Sequence, residues 1–394
     1  MEGYRAYISS ERRPKETPAD LVDESGIAVF GTFDREFETM DLVRCKGPTH
    51  LPDVFNKQKL TLWEAVEVDF GDGVLLAGGT DMGLFGMMVH VFFDRNDGVI
   101  YKWSSVLPTA DVSIAPNLLN GSVTYVRGDD GFIKFENDFG RGACEIEGVH
   151  IGEAGSVKPE KDFESQLRKE ERNALGFGAE GRDTIEYELS LRQISPPSVV
   201  SIPFGKNRPL YTEKSFFNVT GSLRVNGKVY TAGENTTAII DDHRGFYPRR
   251  MHYDWMTAFG KCAREDEPDE RRYFALNLTA NQSIDPYKYN EDLIWIAGGQ
   301  SLLPPVTFER DRETKELARE LKSGAVWRVS DDHDMVDVRF EVRGVAPTVL
   351  HAGLVNIDYF IVFGEAYGYV RDEEGRRYIL DGIQAIGEDK SMLY

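Results

Sequence analysis

Residues 237–255 read TAIIDDHRGFYPRRMHYDW, the richest stretch of the chain in mixed acids, bases and aromatics. An apolar run over 237–240 ends abruptly in Asp241, Asp242, His243, Arg244 and Gly245. Phe246, Tyr247, Arg250, His252, Tyr253 and Trp255 follow. Strand ends and the loops after them are where barrels place the chemistry of a pocket mouth. Hydration, cyclisation or isomerisation of an olefin needs a proton delivered to an apolar substrate. A carboxylic acid can deliver it if burial keeps the group protonated near neutral pH. Successive strand residues face opposite sides. One of Asp241 and Asp242 can therefore face a cavity while the other pairs with Arg244 or Arg250. Asp241, Asp242, Tyr247 and His252 are the catalytic candidates, with His252 placed to relay a proton or orient water. Tyr247 and Trp255 can line a cavity and stabilise developing positive charge through their π faces. Arg244, Arg250, Trp255 and Lys214 are candidates for substrate binding. So are Trp63 and Glu64, which face opposite ways on an early strand over 60–70.

The same residues admit plainer roles. An Asp-His-Arg-Gly cluster at a strand end also fits a turn held by salt bridges and an Asx hydrogen bond. Trp63, Trp255 and Trp295 fit core packing, and Lys214 fits a side chain snorkelling at a barrel rim. His90 alternates with Val89 and Val91 and reads as a satisfied strand residue. Asp331-Asp332-His333 repeats the Asp-Asp-His pattern, but no second His stands at ligand spacing, so it reads as a surface loop and no metal is expected. Gly176, Gly178 and Gly181 match GxGxxG. A charged segment precedes them and a strand follows, the reverse of a dinucleotide-binding context, so a glycine-rich turn is expected and no cofactor.

The elements that must position these groups are written in period two. In residues 184–192, Ile185, Tyr187, Leu189 and Leu191 fall on one face and polar residues on the other. Residues 335–343 repeat the pattern with Val336, Val338, Phe340 and Val342. Strict alternation marks antiparallel sheet with one wet face. Asn226-Gly227 and two Asp/Glu-Gly turns join such runs as hairpins. Helical signal is confined to 162–174 and 312–322, both mostly charged, which read as short surface helices or ordered loops. The expected fold is all-β, two antiparallel barrels packed together. The division falls at 1–245 and 246–394, to within about 30 residues.

Composition bounds the function. The chain has 394 residues, enough for two domains with sizeable cores. Lys and Arg total 46 against 66 Asp and Glu, a net charge of −20, which repels phosphate backbones and anionic lipid. Nucleic acid is therefore not an expected partner. The longest apolar stretches are too short to span a bilayer, so membrane insertion is not expected either. Three scattered cysteines, Cys45, Cys144 and Cys262, argue for a reducing compartment. The charged N-terminus shows no apolar signal region. The expected location is cytoplasmic, with the five Asn-x-Ser/Thr sequons unused. A homodimer is compatible with all of this.

Several patterns resemble one known family, domain of unknown function 2804. They are FNKQKLTLWEAVEV, PLYTEKS…VTGSLRVNGKVY, IIDDHRGFYPRRMHYDWMTAFG, ALNLTANQ…NEDLIWIAGGQSLLPPVTFER and VFGEAYGYVRDEEGRRYILDGIQAIGE. The resemblance covers roughly residues 40–390. That family is similar in outline to carotenoid hydratases of the hydroxyneurosporene-synthase type, AttH-like proteins, tocopherol cyclases and fungal decalin-forming pericyclases. The resemblance implies two lipocalin-like barrels with an apolar ligand cavity near their junction. In the hydratase-like proteins an aromatic usually stands where Arg244 stands here, which weakens any transfer of carotenoid chemistry. The expected function is cofactor-independent acid–base chemistry of the hydratase, cyclase or isomerase kind on a small hydrophobic, isoprenoid- or polyketide-like molecule. The alternatives are a non-catalytic lipid or isoprenoid carrier, since such barrels commonly hold one apolar ligand, and carbohydrate hydrolysis by paired carboxylates.

Overall fold

The structure, a computed structural model, describes residues 8–152, 154–157, 183–296, 298–320, 324–352 and 355–393. The expected helix at 162–174 and the glycine turn at 176–181 lie outside them. Strands make up 61% of the described residues, and every pairing between named strands is antiparallel. Within 312–322 a helix forms at Thr314–Glu320.

Fifteen strands form the first sheet. Its central path runs Val99–Leu107, Gly86–Asp94, Gly73–Asp81, Thr61–Asp69, Thr237–Gly245, Pro209–Val225, Asp183–Gln193, Ala143–Gly152, Gly131–Asp138 and Ser122–Arg127. It curls into a nearly closed barrel. Gly79 and Gly86 make room for the far edge of the sheet where it folds back over Gly73–Asp81 and Gly86–Asp94: a Cβ at Gly79 would fall 2.4 Å from Val126, and one at Gly86 2.1 Å from Val112. The nine strands of the second sheet run Gly299–Leu302, Leu293–Ile296, Glu267–Ala280, Arg250–Arg264, Arg377–Leu393, Val355–Arg371, Val336–Ala352, Val326–Ser330 and Thr307–Arg310. This sheet stops at a half-barrel. Its first and last strands lie at opposite ends of the path and do not pair, although register shifts at Ala258/Ala263, Val342/Gly344 and Ala366/Tyr367 bend its long strands.

Three apolar layers follow. One fills the first barrel, around Phe92, Trp103, Phe135, Tyr187 and Phe217. One fills the concave side of the second sheet, around Phe274, Trp327 and Phe340. The third lies between the sheets and joins Val74, Val91, Phe93, Phe216 and Ile239 to Trp255, Phe259, Trp295, Ile361 and Phe363. Strands that back onto the third layer are buried on both faces. That is why Gly73–Asp81 and Gly86–Asp94 read as near-continuous apolar runs while Asp183–Gln193 alternates.

Candidate functional site

The strand Thr237–Gly245 lies at the middle of the first sheet, between Thr61–Asp69 and Pro209–Val225. Both faces are buried, so its two aspartates enter different environments. Ile239, Asp241 and His243 face the second sheet. Ile240, Asp242 and Arg244 face the barrel interior. Gly245 ends the strand where the backbone crowds it: a Cβ would lie 2.7 Å from the Pro209 carbonyl oxygen and 2.9 Å from Leu210 Cα.

A chamber opens between the sheets and holds about 1190 Å³ of empty space, counting solvent at its mouth. Strand register builds each wall, because directly paired residues share a face. On the first sheet, Thr212, His243, Trp63, Thr80 and Met87 form one row, and Lys214, Asp241, Ala65, Gly78, Val89 and Ser104 the next. On the second sheet, Ile357, Met392 and Met251 form a greasy row. Thr348, Tyr359, Lys390 and Tyr253 form a polar row beside it. Ile361, Glu388, Trp255 and Thr279 form a third. Four of the chain's nine methionines, Met82, Met87, Met251 and Met392, line the space. Such unbranched, polarizable side chains adapt to irregular apolar ligands.

A charged cluster closes the first-sheet wall. Asp241 Oδ1 lies 2.6 Å from Lys214 Nζ and 3.0 Å from His243 Nε2. Glu291 Oε2 lies 3.4 Å from Lys214 and accepts from Thr212 Oγ1 at 2.8 Å. Tyr247 Oη stands 3.5 Å from His243 Nδ1. Burial pushes the Asp241 carboxyl up, but His243 and Lys214 outweigh it and hold the group below its usual value. Burial lowers His243, and the Asp241 carboxylate overrides it, raising the imidazole to about 9. Glu291 is likewise held low by Lys214 and His243 against its own burial. At neutral pH the wall therefore presents an imidazolium beside two carboxylates, with Lys214 as a fixed cation 1% exposed rather than a rim residue.

The opposite wall carries Glu388, whose two oxygens accept from Tyr253 Oη at 2.7 Å and from Tyr359 Oη. Burial pushes both phenols well above their usual range, so they remain donors. Trp255 donates from Nε1 to Asn277 Oδ1 at 2.7 Å, and Asn277 Nδ2 donates to the Glu291 carbonyl at 2.9 Å. Asn277, in one of the five sequons, is fully buried. Glu67 lies behind the chamber, buried, and its own burial pushes its carboxyl well above the usual value, reinforced by the Asp241 charge.

The structure thus gathers Asp241, Tyr247, Trp63 and Trp255 around the chamber, with Lys214 behind it. It takes the other candidates elsewhere. Asp242 Oδ2 accepts from Arg244 Nε at 2.8 Å inside the barrel, and Arg244 Nη1 also reaches the Pro116 carbonyl at 2.8 Å. Glu64, in register with Asp242, accepts there from Thr124 and from Asn137 Nδ2 at 2.8 Å. Arg250 is exposed. His252 alternates with Met251 and Tyr253 and points away from the chamber, half exposed, with Nδ1 3.0 Å from Ser391 Oγ. Its nearest ion-pair atom is Asp254 Oδ1 at 3.6 Å. His252, Asp254 and Asp389 bring ligand atoms within 4.8 Å of one another, but Arg310 already pairs with Asp254 and lies 3.9 Å from Asp389. Trp295 is fully buried in the layer between the sheets. His90 sits inside the barrel, 3.3 Å from Tyr187 Oη. Asp331 caps its own turn, accepting from Met335 N at 2.8 Å and from His333 N. Glu291, Glu388, Tyr253, Tyr359 and Lys390 complete the chamber without a motif of their own. One signal for Glu291 lies in the chain, an acid pair, Glu291-Asp292, against an apolar strand, as at Asp241-Asp242.

Fold and chamber together define an all-β protein of two antiparallel sheets, one a nearly closed barrel and one a half-barrel, with a buried Asp241–His243 ion pair between them. The chain belongs to the family described as domain of unknown function (DUF2804), which matches residues 12–394. Among solved structures it is similar to kievitone hydratase from Nectria haematococca, at 11% identity and a TM-score of 0.44, over 85% of this chain and 88% of that one. It is also similar to CdiB from Acinetobacter baumannii, at 8% identity and a TM-score of 0.16, over 86% of this chain and 60% of that one. No curated protein matches the chain at a significant level.

Proposed function

We propose that the protein is an acid–base enzyme of the hydratase, cyclase or isomerase kind, acting on a small hydrophobic molecule in the chamber between the sheets. The observation that carries this is the Asp241–His243 pair, charged, buried, and open to an apolar, methionine-lined space. His243 is the acid and Asp241 the base beside it. An imidazolium raised to about 9 is matched to oxygen: a leaving hydroxyl, a carbonyl or an enolate. It is too weak to protonate an isolated carbon–carbon double bond. The substrate on this reading carries its double bond next to an oxygen function. Tyr247 steadies the His243 ring, and Trp255 offers a π face to positive charge. A greasy wall does not favour carbohydrate hydrolysis.

The test is incubation with an apolar metabolite extract in deuterium oxide, followed by mass spectrometry. Wild-type protein is expected to introduce deuterium into at least one apolar compound. Asp241→Asn and His243→Asn are expected to lower that rate at least 100-fold while the fold persists. The adaptable methionine row also suits a carrier. An unchanged apolar molecule retained one to one in native mass spectrometry, with no exchange, would replace the enzyme reading with that one.

A further inference from the structure

We infer that the ligand carries one anionic oxygen group, a carboxylate or an ionised phenol, held in the chamber between Lys390 and Lys102. This rests on the reading that the chamber takes an apolar ligand, and it names the polar end of that ligand.

The cations of the site are unequally matched. Lys214 is consumed by Asp241 and Glu291. Lys390 has no carboxylate or other hydrogen-bond acceptor among the described residues. Its Nζ lies over the rings of Tyr359 at 4.6 Å and Tyr253 at 5.8 Å and faces the chamber. The phenols flanking it are themselves turned to Glu388, so the row offers Lys390 aromatic faces and no counter-ion. Lys102 reaches the same row from the first sheet. It donates to the Pro347 carbonyl at 2.7 Å and to Thr348 Oγ1, both neutral, and its third proton has no partner among the described residues. Thr348, Tyr359 and Lys390 are consecutive across the strands, so the two ammonium groups flank one phenol.

The charges around the space agree. Lys102, Lys214, Lys390 and His243 face Asp241, Glu291 and Glu388. Four basic side chains meet these three acids, and burial pushes the carboxyl of Glu67 behind them well above its usual value. Burial lowers both Lys102 and Lys390; for Lys390 it outweighs the opposing charge of Glu388, which makes no hydrogen bond to it. A ligand anion placed between them would remove that cost and gain charge-assisted hydrogen bonds.

The probe is cis-parinaric acid, which fluoresces in apolar surroundings, titrated against its methyl ester. The acid is expected to bind wild-type protein roughly tenfold tighter than the ester or better. Lys390→Met is expected to abolish the preference, so that acid and ester bind with equal affinity. Lys390→Arg should retain most of the preference, and Lys102→Met should reduce it. Equal affinity for acid and ester in the wild type, or a full preference surviving in the folded Lys390→Met variant, overturns the inference while leaving the chamber reading intact. Failure of both probes to bind overturns the two together.

Discussion

Asp241 and Asp242 illustrate how one strand can hold two kinds of buried acid. Asp241 is ionised because two cations share its wall. On the other face, Asp242, Glu36, Glu64 and Glu213 crowd around Arg244, and burial raises every one of them, Glu64 to about 7 and Glu36 to about 8. The pH dependence follows with its sign. A carboxyl whose folded value lies above its unfolded one binds more protons when folded, so stability falls as pH rises between the two values. His243, a base raised to about 9, contributes stability that is likewise lost as pH rises from about 6.5 to 9. The melting temperature is therefore expected to fall between pH 6 and 9. Glu64→Gln, which keeps the Asn137 hydrogen bond but cannot ionise, should flatten part of that fall, by about 1–2 kcal/mol over this window. A melting temperature indifferent to pH in this window, or an unaltered slope in Glu64→Gln, would contradict this account of the barrel interior.

The strand Thr237–Gly245 links chemistry to architecture. The sequence shows the apolar run, the acids and the glycine, and strand alternation by itself separates Asp241 from Asp242. It does not show which face is which, because both faces of a central strand are buried. Only the partner strands decide it. The placement of His252 outside the chamber has the same origin. Its neighbours Tyr253 and Trp255 suggest a site, but alternation places His252 with Asp254 on the outer face once Trp255 is inward. Gly245 is where the element most directly controls the site, since the chain must pass close to Pro209 and Leu210 before Tyr247 enters the chamber. Gly245→Ala is expected to destabilise the protein by about 1–3 kcal/mol and to weaken binding of an apolar probe. Thermal denaturation and probe titration check both. An unchanged melting temperature would mean that the close approach is easily relieved.

Across the whole molecule, the all-β fold was legible because alternation and hairpin turns recur along the chain. The half-open shape of the second sheet was not, since closure depends on whether distant edges meet. Nor was the second wall of the chamber legible. Tyr253, Tyr359 and Lys390 are more than 100 residues apart in part, and only strand register sets them side by side. The chamber belongs to neither sheet alone, and the shared apolar layer fixes the spacing of its walls: Phe93 of the first sheet stacks on Phe363 of the second with centroids 5.5 Å apart. Among the described residues no helix is long and apolar enough to cross a membrane, which says nothing about strands. The most direct test is electron density from crystals of freshly purified protein incubated with an apolar extract. The account predicts an elongated molecule between the sheets, along Met251 and Met392, with an oxygen within hydrogen-bond distance of His243. A ligand seated inside the first barrel, or a chamber occupied only by ordered water, would contradict it.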